Sequence, residues 1–276
     1  MKKITLTLML VLISALLFAS GTKESSSITV ISREDGSGTR GAFTEIVGLL
    51  DSNKVDQTTV NSEIANSTSV VITTVQSNKN AIGYISLGSL SDVVKSVDIN
   101  GVKATAENVK NGSYPLQRPF NIAYKALNEI SEDFLSSLAS SQAQEIITKK
   151  GYVSVGAGAS YSSKNLQGKL TISGSSSVYP LMEVLTEAYK KLNPNVEIVL
   201  QQSDSTTGMN DVKNGVSDIG MASRNLKASE KEAGLTPVVI AIDGIAVIVN
   251  NANSVNALTM DEVKKIYLGE KTEWNN

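Results

Sequence analysis

The residues whose types and spacing best suit chemistry lie in one short polar turn at 33–39, which reads Arg-Glu-Asp-Gly-Ser-Gly-Thr. The guanidinium of Arg33 fits the oxygens of a tetrahedral anion, and Ser37 and Thr39 add hydroxyl donors. Gly38 lets the backbone approach a ligand closely. These residue types predict a loop that binds an oxyanion.

Asp35 in the same turn indicates which oxyanion the loop prefers. A carboxylate beside a bound oxyanion repels it unless the ligand carries a proton to donate. A loop with an arginine, hydroxyls, N–H groups and one aspartate therefore suits hydrogenphosphate and should reject fully ionised sulfate. Taken singly, a Ser/Gly turn before a helix is also typical of a plain helix cap.

A strand and a helix are expected to position this turn. Residues 28–32 are a short β-branched run, the composition of a buried strand, and residues 41–50 have apolar side chains at spacings that suit a helix. The free N–H groups and the dipole at the start of such a helix favour a negatively charged ligand. The stretch therefore predicts an anion-binding site at a helix N-terminus.

Further hydroxyls of the same kind occur in the second half of the chain. Ser176 and Ser177 lie between a short strand and a helix predicted over 178–192. Ser205 lies near the start of a later helix, and Ser223 follows the strand end Asp-Ile-Gly-Met-Ala. Each of them, taken alone, could be a helix cap.

Composition limits the classes of function. The chain has 276 residues, enough for one large or two ordinary domains, and carries 25 basic against 27 acidic residues, so nothing favours nucleic acid or an anionic membrane as a partner. Cysteine and histidine are absent, which excludes disulfides, cysteine metal sites and Ser-His or Cys-His catalysis. Neither a metal nor another cofactor is predicted.

The N-terminus has the pattern of an export signal. Lys2 and Lys3 precede an apolar run at 4–19 that is too short and wrongly flanked for a stable membrane span. Ser20 stands where the lipidated cysteine of a bacterial lipoprotein would lie, and residues 21–27 fit a polar tether. We expect export to the periplasm or the outer face of the cytoplasmic membrane, with an ordinary secretory signal and a lost lipid anchor as alternatives.

The turn at 33–39 resembles the second phosphate loop of the phosphate-binding receptors of ABC importers, and residues 174–177 resemble the first. The sequence Ala-Ile-Gly-Tyr-Ile at 81–85 is also similar to a stretch that follows the phosphate loop in that family. The resemblance covers essentially the whole chain after its signal. It implies a type 2 periplasmic-binding-protein fold, with two α/β lobes and the ligand cleft between them. It also implies inorganic phosphate as ligand, the membrane permease of a phosphate importer as partner, and a monomer.

The resemblance implies a set of phosphate-binding residues on both lobes. They are Arg33, Asp35, Ser37, Gly38, Thr39, Ser176, Ser177, Val178, Ser205 and Ser223. One departure stands out, because some family members carry a phosphate-contacting aspartate at the position of Ser223, where this chain offers a hydroxyl. For the neighbouring Arg224 a structural ion pair is favoured over a role in orienting Asp35 or the anion.

The order of segments also departs from the family. A stretch such as residues 258–276 runs directly into the 28–39 loop in the family, yet here the two lie at opposite ends of the chain. We therefore predict a circular permutant whose former termini are joined by a flexible Gly/Ala/Ser-rich linker at 156–168. One lobe would comprise 28–116 plus 250–276, and the other 117–249. A truncated tandem of two incomplete receptors is the alternative, and the missing lipid cysteine leans toward an engineered origin.

The predicted function is high-affinity, non-catalytic binding of inorganic phosphate for delivery to an ABC importer. An engineered permuted phosphate-sensor scaffold and a receptor for another tetrahedral oxyanion, such as sulfate or molybdate, are alternatives. A phosphoesterase is least favoured, because the chain has no histidine or cysteine and no carboxylate pair flanks Ser37 or Ser177.

Overall fold

The computed structural model describes residues 26–274. The predicted signal peptide and its Ser20 position lie outside these residues. The strands are β1 (Thr29–Arg33), β2 (Glu63–Ala65), β3 (Ala81–Ser86), β4 (Lys95–Ser96), β5 (Asp98–Ile99), β6 (Gln117–Tyr124), β7 (Val153–Ser154), β8 (Gly168–Ser175), β9 (Val196–Ser203), β10 (Ile219–Ala222), β11 (Thr236–Val249) and β12 (Ala257–Leu258). The α-helices are α1 (Gly38–Val47), α2 (Thr68–Ser77), α3 (Ala106–Lys110), α4 (Glu129–Leu138), α5 (Ser141–Lys149), α6 (Tyr179–Leu192), α7 (Ser205–Lys213), α8 (Ala228–Glu232) and α9 (Met260–Leu268). Within 26–274, no helix is long and apolar enough to cross a membrane.

Most strands belong to one mixed sheet of order β2-β1-β3-β11-β6-β10-β8-β9, while β5 pairs separately with β12. At one end β1 is parallel to β2 and β3, and at the other β8 is parallel to β9 and β10. The long strands β6 and β11 run antiparallel to each other between these two parallel groups. The helices that follow the strands of each parallel group begin at the carboxyl edge of that group, where ligands of α/β proteins bind.

β11 divides the molecule into two lobes, because its two ends belong to different hydrophobic cores. Residues 236–244 pair with β6, whereas residues 245–249 pair with β3 and are buried among apolar residues of the N-terminal stretch and α9. We define the first lobe as residues 28–116 with 245–274, and the second lobe as residues 117–244. The boundary expected at residue 250 lies earlier in the structure. The apolar run of β11 is continuous, so its pattern does not reveal where the strand passes between cores.

The described ends of the chain lie side by side. The N–H of Ile28 donates to the carbonyl of Thr272 at 2.8 Å, and the N–H of Trp274 donates to the carbonyl of Ser26 at 2.8 Å. The Trp274 side chain is buried in the core of the first lobe. The two ends therefore form a short antiparallel pair on the first lobe.

Residues 156–168, expected to be a flexible linker, are irregular but anchored. The N–H of Tyr161 donates to Gln142 Oε1 at 3.0 Å, and Gln142 Nε2 donates back to the Tyr161 carbonyl at 3.1 Å. Tyr161 and Leu166 also pack against the core of the second lobe. A few anchoring side chains thus hold the segment against the second lobe, despite the Gly/Ala/Ser composition around them.

An apolar pattern that suits one amphipathic helix forms two helices in the structure. The pattern runs over 131–150, but α4 ends at Leu138 and α5 begins at Ser141. Ser140 lies between them, and its Oγ accepts a hydrogen bond from the N–H of Ala143 at 3.2 Å. This N-cap starts a new helix, so the apolar pattern continues across a change in direction.

Candidate functional site

Four helix N-termini converge where the two lobes meet. Helices α1 and α2 come from the first lobe and follow β1 and β2, whereas α6 and α7 come from the second lobe and follow β8 and β9. The N–H groups in the first turn of a helix have no partner within it, and the helix dipole favours negative charge there. Each lobe therefore presents two N-termini suited to an anion.

Six buried hydroxyl side chains lie at this junction, and we call them the hydroxyl cluster. They are Thr39, Thr68, Ser176, Ser177, Ser205 and Ser223. Thr39 Oγ1 lies 2.7 Å from Ser177 Oγ, and Thr68 Oγ1 lies 3.0 Å from the same oxygen. Thr39 Oγ1 also lies 3.4 Å from Ser223 Oγ. Because Thr39 and Thr68 belong to the first lobe and the serines to the second, these hydrogen bonds cross between the lobes.

Arg33 is the cation of the site. Its side chain is only 2% exposed, and Nη2 donates to Ser176 Oγ at 3.0 Å while Nη1 lies 3.4 Å from Thr68 Oγ1. Its Nε and Nη2 both donate to the carboxylate of Glu34, each at 2.7 Å. This bidentate pair fixes the plane of the guanidinium and offsets the cost of burying its charge.

Tyr84 on β3 holds the end of β1 in place. Its hydroxyl lies 2.9 Å from Ser32 Oγ and accepts the backbone N–H of Arg33 at 3.1 Å. Its ring stacks on Phe43 of α1 with centroids 4.0 Å apart. Burial raises the pKa of the Tyr84 hydroxyl, so it remains a neutral hydrogen-bonding group. The strand and helix on either side of the turn are thus joined through one aromatic side chain.

The two lobes also meet through the backbone of the turn. The carbonyl of Gly36 accepts hydrogen bonds from the N–H and the hydroxyl of Thr206, both at 3.1 Å. A Cβ at Gly38 would lie 2.3 Å from Ser205 Oγ and 2.7 Å from Ser223 Oγ, distances that real Cβ atoms do not show. Gly38 is therefore needed for the close approach of α1 to the second lobe.

The structure brings most of the sequence-predicted residues to this junction. Arg33 and five members of the hydroxyl cluster share hydrogen bonds, and a Cβ added at Gly38 would meet the sixth member, Ser205. Ser205 Oγ accepts the backbone N–H of Ser223 at 3.1 Å, so its own O–H proton is free to donate. Ser37 caps α1 by accepting the N–H of Arg40, and its side chain makes no hydrogen bond with the cluster.

Asp35 and Val178 are placed differently from the expectation. The Asp35 side chain is 99% exposed and pairs with Arg40 Nη1 at 2.9 Å, so its carboxylate turns away from the hydroxyl cluster. Arg40 is held in position by Asp56, whose Oδ2 lies 2.7 Å from Arg40 Nε. Val178 is buried in the core of the second lobe, and its N–H donates to the carbonyl of Ser175 at 3.0 Å. The sequence pattern predicted that both residues lie in the loops, but it did not predict the direction in which their groups point.

Arg224 forms a structural ion pair. Its Nη1 and Nη2 donate to the two carboxylate oxygens of Glu230 at 2.8 and 2.7 Å. Burial of Glu230 would raise the pKa of its carboxyl, but the hydrogen bonds and charges of Arg224 and Lys227 together outweigh burial and lower it. Asp35, the alternative partner of Arg224, pairs with Arg40 instead.

Thr68 is the site residue that sequence reasoning missed. It is the first residue of α2, and its hydroxyl contacts Arg33, Ser176 and Ser177. The signal was present in the sequence, because Asn-Ser-Thr at 66–68 reads as a helix cap before an apolar run. The sequence contains no evidence that this cap lies beside the other loops. That position follows from the order of the strands in the sheet.

The residues that the structure describes contain no group of three or more acidic side chains arranged to hold a metal ion. The side-chain groups that reach the cluster are hydroxyls and one guanidinium, which bind the oxygens of an anion.

Comparison with known proteins gives this arrangement a family. A model of the PBP superfamily domain matches residues 15–142 and 159–276. A Streptococcus agalactiae protein named phosphate-binding protein PstS 2 is 45% identical over 263 residues, which is 93% of this chain and 90% of that protein. The chain is a member of the phosphate ABC transporter substrate-binding protein family.

A solved structure supports the fold of this receptor. The phosphate-binding protein of a phosphate ABC transporter from Streptococcus pneumoniae is 47% identical and covers 90% of this chain and 98% of its own, with a TM-score of 0.72. The receptor thus has the type 2 periplasmic-binding-protein fold that its sequence predicted. The Bacillus subtilis phosphate-binding protein PstS matches less of the receptor, with 36% identity over 111 residues, which is 39% of this chain and 36% of that protein.

Proposed function

We propose that the receptor binds one inorganic phosphate ion between its lobes and delivers it to the permease of an ABC importer, without catalysing a reaction. The observation that carries this proposal is the buried Arg33, which meets hydroxyls of both lobes at four helix N-termini. The names of the relatives agree with it, because those proteins are described as phosphate-binding.

Closure of the lobes follows from where the donors lie. Thr39 and Thr68 belong to one lobe and Ser177 to the other, so an anion that accepts from all three contacts both lobes at once. Such a ligand binds the closed state more tightly than the open state and shifts the population toward closure. Hydrogen bonds to a charged group are worth roughly 1.5–3 kcal/mol each before costs, enough for about micromolar affinity or tighter.

The absence of catalysis and the cellular location belong to the same proposal. Each hydroxyl of the cluster bonds to other hydroxyls, to the backbone or to Arg33, and within residues 26–274 none bonds to a carboxylate that could act as its base. A receptor for an importer works outside the cytoplasmic membrane, which agrees with the export signal expected at the N-terminus. We expect the receptor to act there as a monomer.

Calorimetric titration with phosphate at neutral pH tests this function. The expected result is saturable binding of one phosphate per chain. Arg33→Gln should abolish it, because it removes the buried charge that faces the anion. Lys213→Gln is a matched control, because Lys213 is an exposed cation at the end of α7. A folded protein that releases no heat with phosphate would contradict the proposal.

We also propose that the order of segments is permuted relative to receptors such as the Bacillus subtilis protein, which matches only part of this chain. The Streptococcus agalactiae protein is 45% identical over 263 residues, so nearly all of this chain has a counterpart in a bacterial protein. The paired ends, with Ile28 bonded to Thr272, support a permutation because a short link could join them. A chain that starts at residue 157, continues through a link from 274 to 28 and ends at 156 should fold and bind phosphate equally well. Failure of this rearranged chain to fold would contradict the permutation.

A further inference from the structure

The hydroxyl cluster contains no fixed hydrogen-bond acceptor. Its members bond to one another, to Arg33 and to the backbone, and no carboxylate in residues 26–274 bonds to any of their hydroxyls. A hydroxyl donates or accepts according to how its proton is turned, whereas an ionised carboxylate only accepts. The cluster therefore adapts to the protonation of whatever oxygen it meets.

The three carboxylates closest in sequence to the binding loops are engaged elsewhere. Asp35 is exposed and paired with Arg40. Both oxygens of Glu34 accept from Arg33 at 2.7 Å. Asp204 caps α7, where its Oδ1 accepts the N–H groups of the helix at 2.8 and 2.9 Å. Each of these carboxylates has donors that hold it in place away from the cluster.

Ser223 is the cluster residue from which a carboxylate would reach the ligand. It lies directly after β10, its side chain is fully buried, and its Oγ lies 3.4 Å from Thr39 Oγ1 of the other lobe. A Cβ on Gly38 would lie 2.7 Å from the same oxygen, so this side chain faces the start of α1. Its hydroxyl holds only this long contact, whereas Ser177 Oγ makes two shorter ones.

We propose that the site admits fully ionised tetrahedral dianions, sulfate included, as well as hydrogenphosphate, and that this tolerance depends on the uncharged side chain at Ser223. This inference rests on the proposed function and changes the selectivity that the sequence suggested through Asp35. A protonated phosphate oxygen donates to a hydroxyl of the cluster, and a sulfate oxygen at the same place accepts from that hydroxyl after its proton turns. Within residues 26–274 no carboxylate bonds to the cluster hydroxyls, so no negative charge is held there to repel sulfate.

Titration of the full receptor with phosphate and with sulfate, at pH 7.5 and fixed ionic strength, tests the inference. The expected dissociation constant for sulfate lies within about tenfold of that for phosphate, and each ion displaces the other, because neither leaves a buried charge unpaired. Ser223→Asp should weaken sulfate about a hundredfold relative to phosphate, since a carboxylate accepts from the phosphate proton but repels sulfate. Ser223→Ala, which adds no charge, should leave the ratio of the two affinities unchanged.

The outcomes separate this inference from the proposed function. A wild-type receptor that binds phosphate but ignores sulfate at a thousand times the phosphate dissociation constant overturns the inference and leaves the function intact. Equal loss of both ions in a folded Ser223→Asp protein overturns the role given to Ser223. Absence of phosphate binding in the wild type overturns the proposed function itself.

Discussion

Thr39 Oγ1 lies 2.7 Å from Ser177 Oγ, and this hydrogen bond joins the N-terminal turn of α1 in the first lobe to the turn before α6 in the second. Both side chains are almost fully buried. The residues that would bind an anion are therefore also residues through which the two lobes contact each other. Ligand binding and lobe closure thus depend on the same residues.

Removing either hydroxyl should weaken phosphate binding. Thr39→Val and Ser177→Ala each delete one donor to a charged ligand, a loss of about 1.5–3 kcal/mol, or roughly tenfold to a hundredfold in affinity. Titration calorimetry measures this loss. Thr73→Val is the matched control, because the Thr73 hydroxyl is exposed and bonds to a carbonyl of its own helix at 3.1 Å. Unchanged affinity in both cluster variants would contradict the placement of the ligand.

Gly38→Ala should prevent closure without unfolding either lobe. The added methyl group would lie 2.3 Å from Ser205 Oγ in the opposite lobe, so the lobes have to separate. We expect phosphate affinity to fall about a hundredfold or more, because the ligand then contacts one lobe only and loses at least two charge-assisted hydrogen bonds. Melting of the free protein should change little.

Gly41→Ala provides the control for this steric effect. The methyl group at Gly41 would have Arg224 Cδ as its nearest neighbour at 3.8 Å, an ordinary contact, and it lies in the same helix. Alanine also has a higher helix propensity than glycine. Affinity should stay near that of the wild type, and the radius of gyration with phosphate should fall for this variant but not for Gly38→Ala. Equal affinities in the two variants would argue against a closed site.

The sequence predicted the strand–turn–helix units well, because each depends on local information. The apolar run before Arg33, the glycines of the turn and the helix after it were all sufficient to place β1 and α1. The dipeptide Asn100-Gly101 is a local hairpin-turn signal of the same kind, and the two residues have positive φ values of 52° and 77°. Boundaries inside a continuous apolar pattern were harder to predict, because the break at Ser140 and the boundary inside β11 leave the apolar periodicity intact.

The site was predicted in part for the same reason. Arg33 and Thr39 follow from the motif, but the direction of a side chain depends on its partners across the fold. Asp35 turns outward because Arg40, five residues later, comes within 2.9 Å of it. Thr68 joins the cluster because β2 lies beside β1, a neighbour relationship that the sequence did not reveal.

The buried pair of Arg118 and Asp243 should make stability depend on pH. Arg118 on β6 and Asp243 on β11 are almost fully buried where these strands pass between the lobes, with Nη2 and Oδ2 3.1 Å apart. Burial raises the pKa of Asp243 to about 6, although Arg118 and a hydrogen bond from Ser86 counteract it. An unfolded aspartate has a pKa of about 3.9.

The sign of this effect follows from proton counts. Between about pH 4 and pH 6 the folded receptor holds a proton on Asp243 that the unfolded chain has released, so this group's contribution to the free energy of unfolding falls by about 3 kcal/mol as pH rises through that range. Urea unfolding at pH 4.5, 5.5 and 7 measures it. Asp243→Asn should flatten this component, although it leaves Arg118 unpaired and lowers stability throughout. Identical pH slopes in the two proteins would show that Asp243 does not titrate there.

Asp133 anchors the segment at 156–168 to the second lobe. The carboxylate is fully buried, its Oδ2 accepts hydrogen bonds from the hydroxyls of Tyr161 and Tyr189, and Lys164 Nζ lies 3.8 Å from Oδ1. Burial and the neighbouring carboxylate raise the pKa of Tyr189, so its hydroxyl stays protonated as a donor. One charged group thus ties the irregular segment to α4 and α6.

Asp133→Asn should release this segment at a measurable cost in stability. The amide keeps the shape of the carboxylate but loses the charge-assisted bonds, so we expect about 1.5–3 kcal/mol less free energy of unfolding. Hydrogen exchange should also become faster at the backbone N–H of Tyr161. Glu132→Gln is the control, because the Glu132 side chain is exposed on the same helix. If Asp133→Asn left exchange at Tyr161 unchanged, the segment would be held by its contacts with Gln142 instead.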